Sequence, residues 1–229
     1  MHWFFDPSFS KDSNAIAKSE LDHFKSLRIR VGERVAVTNG TGDVFICDTV
    51  DPKSGELNVL EENSQPAPNP RIHLVQALAK GDRDEMALQA CVELGVISIT
   101  PWQAELSIVD WTGKEAKGQT RWQEIAISAM KQSQRAHLPE VNKVQRTSEL
   151  MPQGVGVILD PRSKESLLSL PSSDEITLVV GPEGGITERE IEQLKAAGFI
   201  PMRLGNAIMR TSTAGPAAVA AILTKLQTW

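Results

Sequence analysis

The sequence predicts an α/β protein of two domains, and three observations support this fold class. Beyond residue 70, apolar runs typical of buried strands alternate with helical segments, which indicates a mainly parallel sheet. Before residue 66, short β-prone runs separated by turn residues indicate a small β-rich domain. Between them, Pro66, Pro68 and Pro70 favour a stiff extended linker. We therefore expect a small β-barrel at residues 1–68 and an α/β domain at residues 71–229.

The first domain is expected to hold one helix and several short strands. Asn39-Gly40 separates β-prone runs at 34–38 and 43–48, and this dipeptide between such runs is a hairpin signal. A turn at 52–55 precedes a third strand over 57–60, and the helix is expected around 15–27.

The second domain is expected to alternate strand and helix along its length. The helix at 83–94 is predicted from its apolar periodicity and ends at Gly95, and Thr187 with Glu190 has the spacing of a capping box. The predicted strands are 72–77, 96–100 (ending before Pro101), 155–159, 176–180 and a short one ahead of Leu204, and the other helices are 121–134, 187–197 and 213–226.

Composition and charge restrict the class of protein. With 41% hydrophobic and 23% charged residues, the chain is typical of globular proteins. Two cysteines make a disulfide framework and a Cys/His metal site unexpected, and no apolar run approaches the roughly 20 residues of a membrane helix. The start lacks the features of a signal peptide, so we expect a cytoplasmic protein without metal or membrane partner.

A local excess of positive charge stands out in a protein whose net charge is −5. Residues 112–146 hold seven basic and three acidic side chains, a local charge of +4. Such a stretch fits a footprint for nucleic-acid phosphates, and it fits equally well a solvated helix face.

Two segments after predicted strands are candidates for a ligand site, because ligands of parallel sheets bind beyond the carboxyl ends of strands. The first is Gly181-Pro182-Glu183-Gly184-Gly185, whose glycines permit close backbone approach before a capped helix. The alternative is a tight strand-to-helix turn, and the loop matches neither a P-loop nor a Gly-x-Gly-x-x-Gly fingerprint.

The second segment is Leu204-Gly205 with Ile208-Met209-Arg210-Thr211. Its apolar pair suits a flat pocket for an adenine-like ring, and Arg210 supplies a fixed cation at the pocket mouth. The alternative is an N-capped helix with one surface arginine.

Taken together, the two segments strongly resemble the SPOUT class of S-adenosylmethionine-dependent RNA methyltransferases. Within that class the chain resembles the family that methylates ring nitrogen 3 of uridine 1498 in 16S ribosomal RNA. The stretches Gln76-Ala77-Leu78-Ala79-Lys80-Gly81-Asp82-Arg83 and Gln132-Ser133-Gln134-Arg135 also resemble family segments, so the likeness covers nearly the whole chain.

The resemblance implies a PUA/OB-type N-terminal barrel that binds RNA, and a SPOUT domain with a deep trefoil knot. It also implies S-adenosylmethionine as cofactor, the 16S RNA of the 30S subunit as substrate, and a homodimer. Two other readings stay open: a SPOUT methyltransferase acting on transfer RNA or another ribosomal site, and a non-catalytic ribosome-binding protein. The chain departs from the family pattern at Leu106 (usually Arg), Gln134 (usually Gly) and Ser212 (usually Glu).

Site roles follow from the resemblance and from the chemistry of the side chains. Arg210 is the first candidate for the catalytic cation, and Arg135 is the second. Phosphate contacts are assigned to Lys80, Arg83, Lys131 and Arg135. The residues expected to bind the cofactor are Leu159, Gly181, Pro182, Glu183, Gly184, Gly185, Leu204, Gly205, Ile208, Met209, Arg210 and Thr211.

Overall fold

The computed structural model describes residues 1–228, which divide into two compact units. The first unit comprises Met1–Ala67 together with the later segment Met130–Leu138, and the second comprises the remaining described residues. Residue 229, the last of the expected second domain, lies outside the described residues.

The first unit is built on one four-stranded sheet. The strands are β1 (His2–Phe5), β2 (Arg34–Thr38), β3 (Asp43–Asp51) and β4 (Glu56–Ser64), and they lie in that order. β1 pairs with β2 in parallel, and the other two pairings are antiparallel. The strand β1 is not among the predicted ones, because four residues give too short a pattern to read.

The predicted hairpin between β2 and β3 is confirmed, and its turn also holds the later segment of this unit. Gly40 has a φ of 80°, the left-handed conformation that such a turn requires. The Gly42 N–H donates to the carbonyl of Ala136 at 3.0 Å, and the Leu138 N–H donates to the carbonyl of Gly40 at 2.9 Å. The segment Met130–Leu138 is therefore fixed to the hairpin by backbone hydrogen bonds.

The predicted helix at 15–27 is shorter than expected. A 3₁₀ turn at Lys18–Glu20 leads into α1 (Leu21–Ser26), and the residues before it are not helical. Ala15 instead forms an antiparallel bridge with Glu56, so the chain there extends the sheet. A backbone that pairs with a strand cannot also satisfy helical hydrogen bonds, which explains the difference.

The second unit contains a seven-stranded parallel sheet, which confirms the predicted α/β class. Its strands are β5 (Arg71–Ala77), β6 (Ser98–Gln103), β7 (Glu140–Val141), β8 (Gln145–Arg146), β9 (Val155–Leu159), β10 (Glu175–Val180) and β11 (Phe199–Met202). The order along the sheet is β11-β9-β10-β5-β6-β7, with β8 also paired to β6.

Strand β6 continues through Pro101, and the prediction that it ends before this residue was wrong. On its outer edge β6 pairs with β7 at Ser98 and Ile99, and with β8 at Trp102 and Gln103. The proline falls between these two pairings, where its missing N–H disrupts neither of them.

The helices of the second unit are α2 (Arg83–Leu94), α3 (Glu115–Gln132), α4 (Glu188–Ala196) and α5 (Thr211–Lys225). The bounds of α2 are those predicted, and Gly95 ends it with a φ of 93°. The predicted capping box at the start of α4 is confirmed. α5 begins two residues earlier than expected.

Helix α3 begins six residues before the predicted start at 121. Gly118 lowers the helix propensity of this early part, but the residue has a packing role. A Cβ at Gly118 would lie 2.5 Å from the ring of Trp111. Tertiary packing of the indole against the bare backbone therefore accounts for a glycine inside the helix.

Candidate functional site

A cleft of about 650 Å³ lies in the second unit, where the chain leaves β9, β10 and β11. Carboxyl ends of parallel strands are where ligands of such sheets bind. The structure brings together in this cleft all of the residues predicted to bind the cofactor: Leu159, Gly181, Pro182, Glu183, Gly184, Gly185, Leu204, Gly205, Ile208, Met209, Arg210 and Thr211.

One wall of the cleft was missed by the sequence analysis, although the same rule of strand ends could have found it. Asp160, Pro161 and Arg162 come directly after β9. Arg162 Nε donates to Asp160 Oδ1 at 2.8 Å, and Arg162 Nη2 donates to the carbonyl of Ile186 at 3.1 Å. The hydrogen bond that Arg162 donates to Asp160 is the main reason why the pKa of Arg162 is raised. This arginine braces the wall against the end of the glycine loop.

The glycine loop needs its glycines for the fold itself. A Cβ at Gly181 would lie 2.6 Å from Ile186 Cγ1, and one at Gly184 would lie 2.8 Å from Leu106 Cβ. Gly185 has a φ of 80°, a conformation that other residues rarely adopt. Leu106, where the family usually has arginine, therefore packs against the bare backbone of the loop.

Gly205 differs from the glycines of the loop. A Cβ placed on it would meet no protein atom within 4 Å, and its φ is outside the left-handed region. The fold therefore does not require glycine at this position. Gly205 is an exposed residue that lines the cleft.

Arg210 is an exposed residue at the N-cap of α5. Its guanidinium makes no hydrogen bond or ion pair with any residue of the described chain 1–228. A helix N-terminus favours negative charge, so a cation there is not explained by the helix. Because Arg210 lines the cleft, the arrangement provides an uncompensated positive charge for a bound group.

Glu183, at the centre of the glycine loop, is held by the turn that precedes α2 and by the first residue of that helix. Its Oε1 accepts from Arg83 Nη1 at 3.0 Å and from the backbone N–H of Lys80 at 3.2 Å. Arg83 also lines the cleft, which its assignment to RNA phosphates did not anticipate. The amino group of Lys80 is on an exposed residue and is in no ion pair within residues 1–228.

The other two residues assigned to RNA belong to the first unit. Lys131 Nζ donates to both oxygens of Glu20, at 2.7 and 3.0 Å, and only 15% of the lysine side chain is exposed. A phosphate contact would thus require this ion pair to open. Arg135 is half-buried, and burial lowers the pKa of its guanidinium.

Two kinds of site were not found within residues 1–228. No group of three or more His, Cys, Asp or Glu side chains there is arranged to hold a metal ion. No helix of this described range is long and apolar enough to cross a membrane.

Comparison with known proteins gives consistent likenesses. Residues 65–223 match the model of the RNA methyltransferase domain family. The chain is 34% identical over 215 residues to Ribosomal RNA small subunit methyltransferase E of Mycobacterium tuberculosis, covering 88% of this chain and 82% of that protein.

Two solved structures are also similar to this chain. One is a Ribosomal RNA small subunit methyltransferase E from Neisseria gonorrhoeae bound to S-adenosyl methionine, with a TM-score of 0.89, 34% identity and coverage of 98% of this chain and 97% of that one. The other is a putative methyltransferase from Legionella pneumophila in complex with the same cofactor, with a TM-score of 0.88, 28% identity and coverage of 97% and 96%.

Proposed function

The chain belongs to the RNA methyltransferase domain family, and from this premise we propose that it is a ribosomal RNA methyltransferase with S-adenosylmethionine as methyl donor. We further propose that its target is ring nitrogen 3 of a uridine in the 16S RNA of the small subunit, uridine 1498 by family resemblance. The observation that carries the proposal is the convergence of both predicted segments on one cleft.

The cleft fits the proposed cofactor in size and in lining. Its volume of about 650 Å³ lies within the range of pockets for ligands of this size. Leu159, Ile208 and Met209 offer apolar surface to a flat ring, and the open space at Gly205 lets a ligand approach the backbone. The backbone of the glycine loop and of Leu204 supplies polar groups for the rest of the molecule.

When bound, S-adenosylmethionine supplies the methyl group as an electrophilic sulfonium carbon. The task of the protein is to orient the uracil ring and to stabilise the negative charge that develops on it. The acceptor nitrogen titrates roughly two units above neutrality, so its ionisation at pH 7 costs about 2.7 kcal/mol. The guanidinium of Arg210 offsets much of this cost, because it has no carboxylate partner to give up. We retain Arg135 as the second candidate for this role.

Contacts with RNA are proposed to divide between the two units. Lys80 has the exposed cation suited to a backbone phosphate, and such contacts position RNA without reading its sequence. Arg83 contributes less positive charge, since Glu183 neutralises it. Lys131 contributes to RNA only when it leaves Glu20.

We also propose the finer architecture that the resemblance implies: a closed RNA-binding barrel in the first unit, a trefoil knot in the second, and a homodimer that acts in the cytoplasm. The path of the chain supports the knot. After β11, at one edge of the sheet, the chain continues into α5, which packs on α2, the helix that follows β5 three strands away.

A single-turnover methylation assay on 30S particles and on free 16S RNA tests the proposal, with the modified nucleotide located by mass mapping. We expect transfer to one uridine, faster on the particle. Arg210→Ala should lower the rate on the order of 10²–10³ with RNA affinity nearly unchanged. Lys80→Ala, the matched cation control, should weaken binding and reduce the salt slope by about one unit. A rate unaffected by Arg210→Ala would contradict the assigned role.

A further inference from the structure

Three hydrogen bonds between buried and partly buried atoms connect strand β5 with the cleft. Gln76, near the carboxyl end of β5, is completely buried, and its Nε2 donates to Thr211 Oγ1 at 2.9 Å. The same Nε2 donates to the carbonyl of Ala77 at 3.1 Å. Thr211, itself buried, donates its hydroxyl to the carbonyl of Gly181 at 2.8 Å.

The chemistry of the amide fixes the direction of these bonds. An amide nitrogen carries only donors, so Thr211 Oγ1 must accept from Gln76. The single hydroxyl proton of Thr211 is then left to donate to Gly181. The side chain of Gln76 therefore determines that the first carbonyl of the glycine loop is held by a donor from α5.

One atom of this amide adds nothing to the stability of the fold. The other amide atom, Gln76 Oε1, is buried and has no hydrogen-bond partner among residues 1–228. A buried acceptor without a partner lowers stability, and an apolar side chain of similar size would avoid this loss. What an apolar side chain lacks is the donor to Thr211 and to the carbonyl of Ala77.

We propose that Gln76 is a positioning residue for the cleft. Through Thr211 it joins the start of α5, which follows Arg210, to the start of the loop at Gly181. The two predicted ligand-binding segments are thereby kept at a fixed spacing before any ligand enters. This inference rests on the proposed function, since the ligand it concerns is S-adenosylmethionine.

Calorimetric titration with S-adenosylmethionine tests the proposal on the full chain. Thr211→Val removes the hydroxyl at nearly constant volume and should weaken binding about tenfold, the equivalent of roughly 1.4 kcal/mol. Thr211→Ser keeps the hydroxyl and should bind within about twofold of wild type. Thr224→Val, on the same helix, removes an exposed hydroxyl that donates to the carbonyl of Ala220, and it should leave binding unchanged.

The role of Gln76 itself is tested by Gln76→Met alone and together with Thr211→Val. Both changes break the same chain of hydrogen bonds. The double variant should therefore bind S-adenosylmethionine about tenfold more weakly than the wild type, as each single variant does, and not about a hundredfold more weakly. A double variant whose affinity falls by the product of the two single losses would overturn the positioning role. So would a Gln76→Met variant with wild-type affinity. If Gln76→Met does not fold, Gln76→Leu takes its place in the same double-variant comparison, and additive effects of Gln76→Leu and Thr211→Val on the binding free energy would likewise overturn the positioning role. Failure of the wild type to bind the cofactor would overturn the proposed function itself, and this inference with it.

Discussion

Replacing Gly205 by alanine tests whether glycine is required at this position for ligand binding and not for folding. The added methyl group meets no protein atom within 4 Å, and the backbone there is not left-handed. The free energy of unfolding without ligand should therefore stay within about 1 kcal/mol of wild type, since alanine also restricts the unfolded chain. Any loss of cofactor affinity then reports on the space in front of Gly205.

The size of the expected effect follows from linkage between binding and folding. At a cofactor concentration of 100 times Kd, the free energy of unfolding of the wild type rises by about 2.7 kcal/mol. For a domain of this size, that raises Tm by roughly 5–10 °C. If the methyl group weakens binding about tenfold, the gain at the same concentration falls to about 1.4 kcal/mol, and the shift in Tm is halved.

Thermal melting with and without S-adenosylmethionine measures both quantities in one experiment. Gly215→Ala is the matched control, because Gly215 lies within α5 and its added Cβ would reach ordinary contact without overlap, 3.4 Å from Cys91 Sγ and 3.6 Å from Gln76 Oε1. This control should melt at the wild-type temperature or above and keep the full shift. A full shift in Gly205→Ala would show that no ligand approaches Gly205. A large loss of stability without ligand would show that the space is needed by the fold.

Three further predictions concern the first unit and the thiols. Lys131→Ala should cost about 1–3 kcal/mol in urea unfolding, because it leaves the largely buried carboxylate of Glu20 without its cation; wild-type stability would refute this. Gln134→Gly should stabilise by up to about 1 kcal/mol in the same assay, because Gln134 has a φ of 58°, and a loss of stability would argue against backbone strain. Cys47 and Cys91 should not react with a thiol reagent at pH 8 until the protein unfolds. Burial raises the pKa of both thiols, that of Cys47 to about 12. Rapid labelling of the native protein would contradict this prediction.

Much of the parallel sheet could be predicted because its strands are continuous apolar runs with clear ends. Strand β9 has the predicted bounds, and β10 differs by one residue. The two segments predicted to bind a ligand could be placed together for a geometric reason, since carboxyl ends of neighbouring parallel strands share one edge. The same reason explains why glycines so far apart in sequence line one cleft.

Partners of the charged side chains could not be predicted, because ion pairs join residues distant in sequence. Arg83 and Glu183 are 100 residues apart, and Lys131 and Glu20 are 111 apart. Their residue types only indicate charge, which fits a phosphate contact as well as a salt bridge. Similarly, the pattern around Gln134 gives no sign of a left-handed backbone, although the glycine usual in the family at that position is explained by it.

The distribution of partners among the cations bears directly on the catalytic role proposed for Arg210. Arg83 and Arg162, which also line the cleft, each have a carboxylate partner. Their positive charge is therefore neutralised within ion pairs that fix the walls of the cleft. Arg210 has none within residues 1–228, although the helix N-terminus beside it disfavours a cation. A paired arginine would have to give up its carboxylate as charge develops on the substrate, and this would raise the barrier. An unpaired arginine has no carboxylate to release. Its charge is unfavourably placed in the free protein and is stabilised when negative charge develops in the cleft, which is the condition for lowering a barrier.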